Sequence, residues 1–127
     1  MRWTAVGAWA LALAVMIGAF GAHGLRGRLD DYSMNIYERA VFYHFVHALG
    51  ILIVAALAAT GMLSQRASHW VCGLLAAGIV LFSGSLYALA LSGQRTLGAI
   101  TPFGGVSFIA AWVVLAITAA RPRTPGT

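Results

Sequence analysis

The chain has 127 residues, of which 61% are hydrophobic and 9% are charged. Soluble domains carry about 25% charged residues, so this composition excludes a globular surface that faces water on every side. The formal net charge is +5 and every basic residue is Arg. These arginines flank apolar runs and form no basic stripe, which argues against nucleic-acid binding.

Four apolar runs divide the chain, and each is close to the roughly 20 residues that cross a hydrocarbon core. Backbone polar groups in lipid must be paired within their own segment, so we predict that each run is a helix. The predicted helices cover residues 3–25, 36–63, 70–92 and 102–120 of a single integral membrane domain, residues 1–127. The predicted fold is all-α, a four-transmembrane-helix bundle with an interfacial, partly helical connection between helices 1 and 2.

Helix 1 carries small residues at every fourth position, a spacing that lets another helix backbone approach closely. We expect small residues of helices 3 and 4 to lie at helix contacts as well. The predicted packing residues are Ala10, Ala14, Gly18, Ala22, Gly84 and Gly105.

Two sequence signals predict where helices 2 and 4 begin. Asn35 is followed three residues later by Glu38, which resembles a capping box and predicts a helix start near Ile36. Thr101 followed by Pro102 predicts an N-cap with proline in the first turn of helix 4. The polar segment before helix 2 is expected to lie in the head-group region.

Most polar residues of the runs fall on one side of the predicted bundle. Four crossings place the ends of helices 1 and 3 and the beginnings of helices 2 and 4 in the same leaflet. Polar groups inside a membrane are costly and mark candidate functional sites, although many only bridge helices by hydrogen bonds. The candidate ligand-binding residues are His23, Glu38, Arg39, His44, His47, Ser83, Ser85, Tyr87, Arg95 and Thr101.

Three of these residues raise the alternative of a metal or haem site. His44 and His47 are three positions apart on one helix, and His23 on the preceding helix could add a third nitrogen. No cysteine or carboxylate motif completes the set, so we predict no cofactor and no metal site. We also find no Ser-His-Asp pattern, no pair of acids and no phosphate-binding loop, so no catalytic residue is predicted.

Four sequence motifs in fixed order carry a resemblance to a known family. They are GAFGAHGL at 18–25, YHFVHAL at 43–49, LFSGSLY at 81–87 and GAITPFGG at 98–105, followed by Trp112. Together they resemble the family named for domain of unknown function 423. The resemblance implies a four-helix inner-membrane protein and no established activity, so it assigns no catalytic residue. The positions its pattern emphasises are His23, His47, Ser83, Gly84, Ser85, Tyr87, Thr101, Pro102 and Gly105.

The leading hypothesis is a non-enzymatic protein of the bacterial inner (plasma) membrane that binds a lipid-like ligand or a partner subunit at the polar cluster. The alternatives are a small transporter and a haem, quinone or metal-binding redox accessory protein. We expect the lipid bilayer as its environment, with a homo-oligomer or a membrane complex as further possibilities. The arginines divide equally between the two faces, and Arg26 with Arg28 favours a cytoplasmic location for the cluster.

Overall fold

The computed structural model describes residues 2–122 and is helical in all its regular structure, with no strand in that range. Its four long helical segments are apolar enough to cross a membrane. These segments are named spans 1 to 4 in chain order, and they cover Arg2–Leu25, Asp31–Ala59, Gln65–Ser92 and Arg95–Ala120. The predicted all-α bundle of four membrane helices is confirmed.

Spans 2 and 3 form the centre of the bundle. In the most apolar stretch of each, 44% and 39% of the residues are buried, whereas the value is 17% in spans 1 and 4. Span 1 packs mainly against span 2, and span 4 packs mainly against span 3. The two outer spans therefore expose most of their surface, where large apolar side chains such as Trp9 and Phe103 face outward.

The largest core fills the half of the bundle nearest the chain termini. Val54, Val71 and Leu75 are fully buried there, beside Phe108 of span 4. Two smaller clusters, around Tyr37 and Ala40, fill the other half. Apolar side chains gain little from leaving lipid for a protein interior, so close packing and interhelical hydrogen bonds stabilise such a core.

Span 2 begins earlier than the sequence predicts. Asp30 caps the helix by accepting a 2.7 Å hydrogen bond from the backbone amide of Ser33, and this bond holds the pKa of the Asp30 carboxyl below its usual value. The predicted capping box at Asn35 and Glu38 is wrong, because the cap at Asp30 starts the helix more than one turn sooner. Most of the predicted connection is thus the beginning of span 2.

The other helix ends also shift. Span 2 ends at Ala59, short of the predicted residue 63. Span 3 begins at Gln65 rather than residue 70, because Ser64 accepts a hydrogen bond from the amide of Ala67 and caps it. In span 4 a 3-10 turn, Arg95–Ala99, precedes the helix Thr101–Ala120, whose first turn contains Pro102 as predicted. Thr101 is the first helical residue and makes no capping bond.

Two π-helical turns interrupt the regular geometry. Gly21–Leu25 ends span 1, and Ile79–Ser83 lies in the middle of span 3, between α-helical halves at Gln65–Gly78 and Gly84–Ser92. The amide of Gly84 bonds the carbonyl of Ile79, five residues earlier. A π turn contains one residue more than an α turn, so it changes the direction in which all later side chains of the span point.

Span 1 contacts span 2 through residues seven positions apart. Gly7, Ala14 and Gly21 are buried, and Gly21 lies directly against the ring of Tyr37. A seven-residue spacing is that of helices packed side by side at a shallow angle. Of the predicted ladder, Ala14 is buried, Ala10 and Gly18 are half-buried at its edges, and Ala22 is exposed. The prediction is wrong for Ala22, which follows Gly21 by one position and so points about 100° away from the contact face.

Spans 3 and 4 come closest at the π turn of span 3. A Cβ atom on Gly104 would lie 2.7 Å from the Cα of Phe82, so only glycine fits there. Gly78 is likewise covered by the ring of Phe108. The predicted packing residues Gly84 and Gly105 do not serve this purpose: Gly84 faces open space, and a Cβ on Gly105 would make an ordinary 3.9 Å contact with Phe82.

Candidate functional site

The structure brings together the polar ends of different spans in the half of the bundle away from the termini. His44 of span 2 contacts Tyr87 of span 3, and Ser85 of span 3 contacts Thr101 of span 4. Tyr37 of span 2 donates to the carbonyl of Ile17 in span 1. These contacts join all four spans in one layer.

His44 and Tyr87 form the bond between the two central spans. The Nδ1 atom of His44 lies 2.9 Å from the phenolic oxygen of Tyr87. His44 is 5% exposed, and Tyr87 also packs at 5.5 Å against the ring of Tyr37, measured between ring centroids. A buried polar group is costly unless it is paired, so each side chain fixes the position of the other.

His47 lies one turn deeper, inside an aromatic stack. Its ring is nearly parallel to that of Phe108 at 3.5 Å between centroids, and Tyr43 and Trp112 flank it. Its Nδ1 lies 2.7 Å from the carbonyl of Tyr43. A carbonyl only accepts hydrogen bonds, so Nδ1 carries a proton. Sequence reasoning named Trp112 only within the family resemblance and did not identify Phe108, since an aromatic residue on an apolar helix has no distinctive pattern.

The serines of span 3 bridge to both neighbouring spans. Ser83 is fully buried and donates a 2.8 Å hydrogen bond to the carbonyl of Ala40. Ser85 lies 3.0 Å from the carbonyl of Phe82 and 2.6 Å from the hydroxyl of Thr101. Because the Phe82 carbonyl can only accept, the Ser85 proton points to it and Thr101 donates to Ser85.

The charged members of the predicted cluster lie at its outer edge. Arg26 and Glu38 form an ion pair at 3.3 Å between side chains that are 66% and 53% exposed. Arg95 covers the ring of Tyr32 at 4.7 Å. Arg39 is also exposed. Exposed pairs of this kind contribute little stability, so these residues are best described as interfacial anchors.

His23 does not join the other two histidines. It lies exposed in the π turn at the end of span 1, whereas the Nδ1 atoms of His44 and His47 are each engaged elsewhere. Within residues 2–122 no group of three His, Cys, Asp or Glu side chains is placed to hold a metal ion. The alternative metal or haem site at His23, His44 and His47 therefore has no geometric support.

Polar side-chain atoms in the interior are paired throughout the described chain. No buried side-chain nitrogen or oxygen of residues 2–122 lacks a hydrogen-bond partner. Further bridges occur outside the predicted set, such as the 2.7 Å bond from Ser107 to the carbonyl of Leu74. Half of the predicted cluster thus forms separate interhelical bridges, through His44, Ser83, Ser85, Tyr87 and Thr101.

A groove between spans 1 and 3 gives one cluster member access from outside. It has a volume of about 470 Å³, and span 2 forms its floor. Near the end of the groove where span 1 begins, Trp3 of span 1 donates a hydrogen bond to His69 of span 3. Along span 1 the groove extends over residues 2–13, which is roughly 16 Å at 1.5 Å per residue. Its lining is Arg2, Ala5, Val6, Trp9, Ala10, Leu13, His44, Ile51, Ala76, Ile79 and Val80.

Comparison with known proteins assigns the chain to a family. A family model described as a protein of unknown function (DUF423) matches residues 17–105. The UPF0382 membrane protein YwdK of Bacillus subtilis is 47% identical over 118 residues, which is 91% of this chain and 94% of the relative. A UPF0382 membrane protein of Staphylococcus epidermidis is 49% identical over 112 residues, 88% of this chain and 89% of the relative. No solved structure matches. The resemblance in the sequence motifs is thereby confirmed, and the chain belongs to the DUF423 family of membrane proteins.

Proposed function

We propose that this protein is a non-enzymatic membrane protein that binds a lipid-like molecule in the groove between spans 1 and 3. The observation that carries the proposal is the groove itself, which is open to the side of the bundle and has His44 in its wall. Ligand pockets in proteins typically measure about 300–1,000 Å³ and are mostly apolar with few polar groups. This groove matches both features.

The lining of the groove favours an amphiphilic occupant. Val6, Leu13 and Val80 offer hydrocarbon contact along its length. Arg2 lies at the end nearest the terminus, and His44 lies toward the other end. Tyr87 holds the imidazole through Nδ1, so His44 has a fixed orientation beside the groove.

A matched pair of tryptophan variants tests the proposal. Val80→Trp fills the groove, and Val106→Trp makes the same change on the outer surface of span 4; both valines are largely exposed, at 69% and 65%. Protein purified in mild detergent is examined by native mass spectrometry for retained lipids. We expect Val80→Trp to lose a bound lipid-like molecule that wild type and Val106→Trp keep. Equal retention in both variants, or a wild type that carries no such molecule, would overturn the proposal.

The named relatives support a location in a bacterial plasma membrane. They are called membrane proteins and come from Bacillus and Staphylococcus.

A partner subunit that occupies the groove instead of lipid is a distinct outcome of the Val80→Trp experiment. It would appear as a copurified protein that is lost in Val80→Trp. That result would replace the lipid-like ligand in the proposal.

The sequence has no acidic residue deep within a span that could couple transport to a carboxylate in the membrane. The chain contains three acidic residues, Asp30, Asp31 and Glu38. All lie before or at the beginning of span 2, and Glu38 is paired with Arg26. We therefore do not propose a transporter.

A further inference from the structure

A second groove lies at the terminal face of the bundle, which is the face where span 1 begins and span 4 ends. It has a volume of about 370 Å³ and separates the beginning of span 3 from the end of span 4. Two arginines line it, Arg66 in the first turn of span 3 and Arg121 immediately after span 4. The full lining is Ser64, Arg66, Ala67, Trp70, Leu74, Val114, Thr118 and Arg121. The sequence predicted no site at this face.

The distribution of charge makes this face more cationic than the other. All side-chain carboxylates of the protein, at Asp30, Asp31 and Glu38, belong to the opposite face, where they offset three of its four arginines. Among described residues the terminal face has Arg2, Arg66 and Arg121 with no acidic side chain. Arg66 and Arg121 therefore meet no competing side-chain carboxylate among the described residues of their own face, and an external anion can approach both.

The groove changes from polar to apolar with depth. Along span 3 it passes from Arg66 to Trp70 and Leu74, which covers roughly 12 Å at 1.5 Å per residue. At the end of span 4 the matching order is Arg121, just beyond the helix, followed by Thr118 and Val114 within it. Trp70 is 60% exposed, and tryptophan favours the depth of the lipid head groups. A phospholipid has the same order of groups, with its phosphate in the head-group region and its acyl chains deeper in the membrane.

We infer that this groove binds the head group of an anionic phospholipid, with its phosphate between Arg66 and Arg121 and an acyl chain along Leu74 and Val114. Guanidinium groups bind phosphate through paired N–H donors, which a single ammonium group cannot reproduce. Basic pockets between membrane helices recognise anionic head groups by this chemistry. The site is separate from the groove between spans 1 and 3, and the inference does not depend on the proposed function.

Two double variants of equal charge test the inference. Arg66→Gln with Arg121→Gln removes both cations of the groove, whereas Arg26→Gln with Arg28→Gln removes two exposed cations from the opposite face. Delipidated full-length protein in detergent is titrated with phosphatidylglycerol and, separately, with phosphatidylcholine, and binding is counted by native mass spectrometry. Inorganic phosphate serves as a competitor that lacks an acyl chain.

We expect wild type to prefer phosphatidylglycerol and the Arg66/Arg121 variant to bind it about 30-fold more weakly, since each of the two arginines near an anionic lipid contributes about 1 kcal/mol. The Arg26/Arg28 variant should keep the wild-type affinity. An equal loss in both variants would show only general attraction to charge and would overturn the inference. So would equal binding of the two lipids by wild type, or displacement of the lipid by inorganic phosphate at similar concentration.

Discussion

The Nδ1 atom of His44 and the phenolic oxygen of Tyr87 are 2.9 Å apart and join the two central spans in the polar layer of the bundle. Both side chains would be costly to bury alone. His44 also lines the groove between spans 1 and 3, so the same bond both links the two central spans and fixes the orientation of a polar side chain beside the groove.

Tyr87→Phe should therefore destabilise the protein. The substitution keeps the ring but leaves Nδ1 of His44 without its partner, and we expect a loss of about 1 kcal/mol in the free energy of unfolding. Unfolding in detergent micelles, followed by circular dichroism, measures the loss. Tyr32→Phe is the control, since Tyr32 is exposed and should change stability by less than about 0.5 kcal/mol. Equal stability of the two variants would contradict the role of the bond.

Adjacent glycines of span 4 should respond differently to the same substitution. Gly104→Ala drives a methyl group into the backbone of Phe82, and we expect a loss of about 1–3 kcal/mol from the forced separation of spans 3 and 4. Gly105→Ala meets Phe82 only at 3.9 Å and should be neutral or slightly stabilising, because alanine is the better helix former. Thermal unfolding of both variants under identical conditions gives the comparison. The reverse order would show that Gly105 forms the contact.

His47 should tolerate an aromatic replacement better than a small one. His47→Phe keeps the stack on Phe108, and we expect a cost below about 1.5 kcal/mol. The carbonyl of Tyr43 keeps its helical bond from the backbone amide of residue 47. His47→Ala leaves a cavity between Tyr43 and Phe108, with an expected cost of about 2–4 kcal/mol. Equal costs in the same unfolding assay would indicate that the imidazole, and not the stack, determines stability.

The cap at the beginning of span 2 should depend on pH. Hydrogen bonding from the amide of Ser33 lowers the pKa of Asp30 in the folded protein, so the capping interaction is fully present above the unfolded pKa of about 4. It is lost as the pH falls through the lower, folded-state value. The amide chemical shift of Ser33 in an NMR titration follows this change. In Asp30→Asn, which keeps an acceptor oxygen but does not titrate, the shift should stay constant over the same range.

The number of spans and the grouping of the polar residues could be predicted because both depend on hydropathy and on the order of the chain. Each apolar run is long enough to cross a membrane, and four crossings bring His44 and Tyr87 into the same layer without any knowledge of packing. The pairing of these two residues needed coordinates, since their rotation about the helix axes is not encoded by position along the chain.

Helix rotation is the main feature that the sequence does not reveal. Span 1 is apolar on all sides, and a helix of this kind has no amphipathic face to indicate which side packs. The four-residue ladder through Ala10 and Ala22 was therefore as reasonable as the seven-residue series through Gly7 and Gly21 that the structure adopts. The groove between spans 1 and 3 depends on the same rotation, so the sequence could not predict it either.

The π turn at Ile79–Ser83 has a consequence for insertions and deletions in span 3. With the same sequence in a regular α-helix, every residue after the turn would be rotated by about 100°, and Ser85 and Tyr87 would turn away from Thr101 and His44. A relative that lacks one residue at this point can instead form an unbroken α-helix and keep both halves of the span facing their partners. A single-residue deletion should therefore be tolerated within this turn and harmful elsewhere in the span.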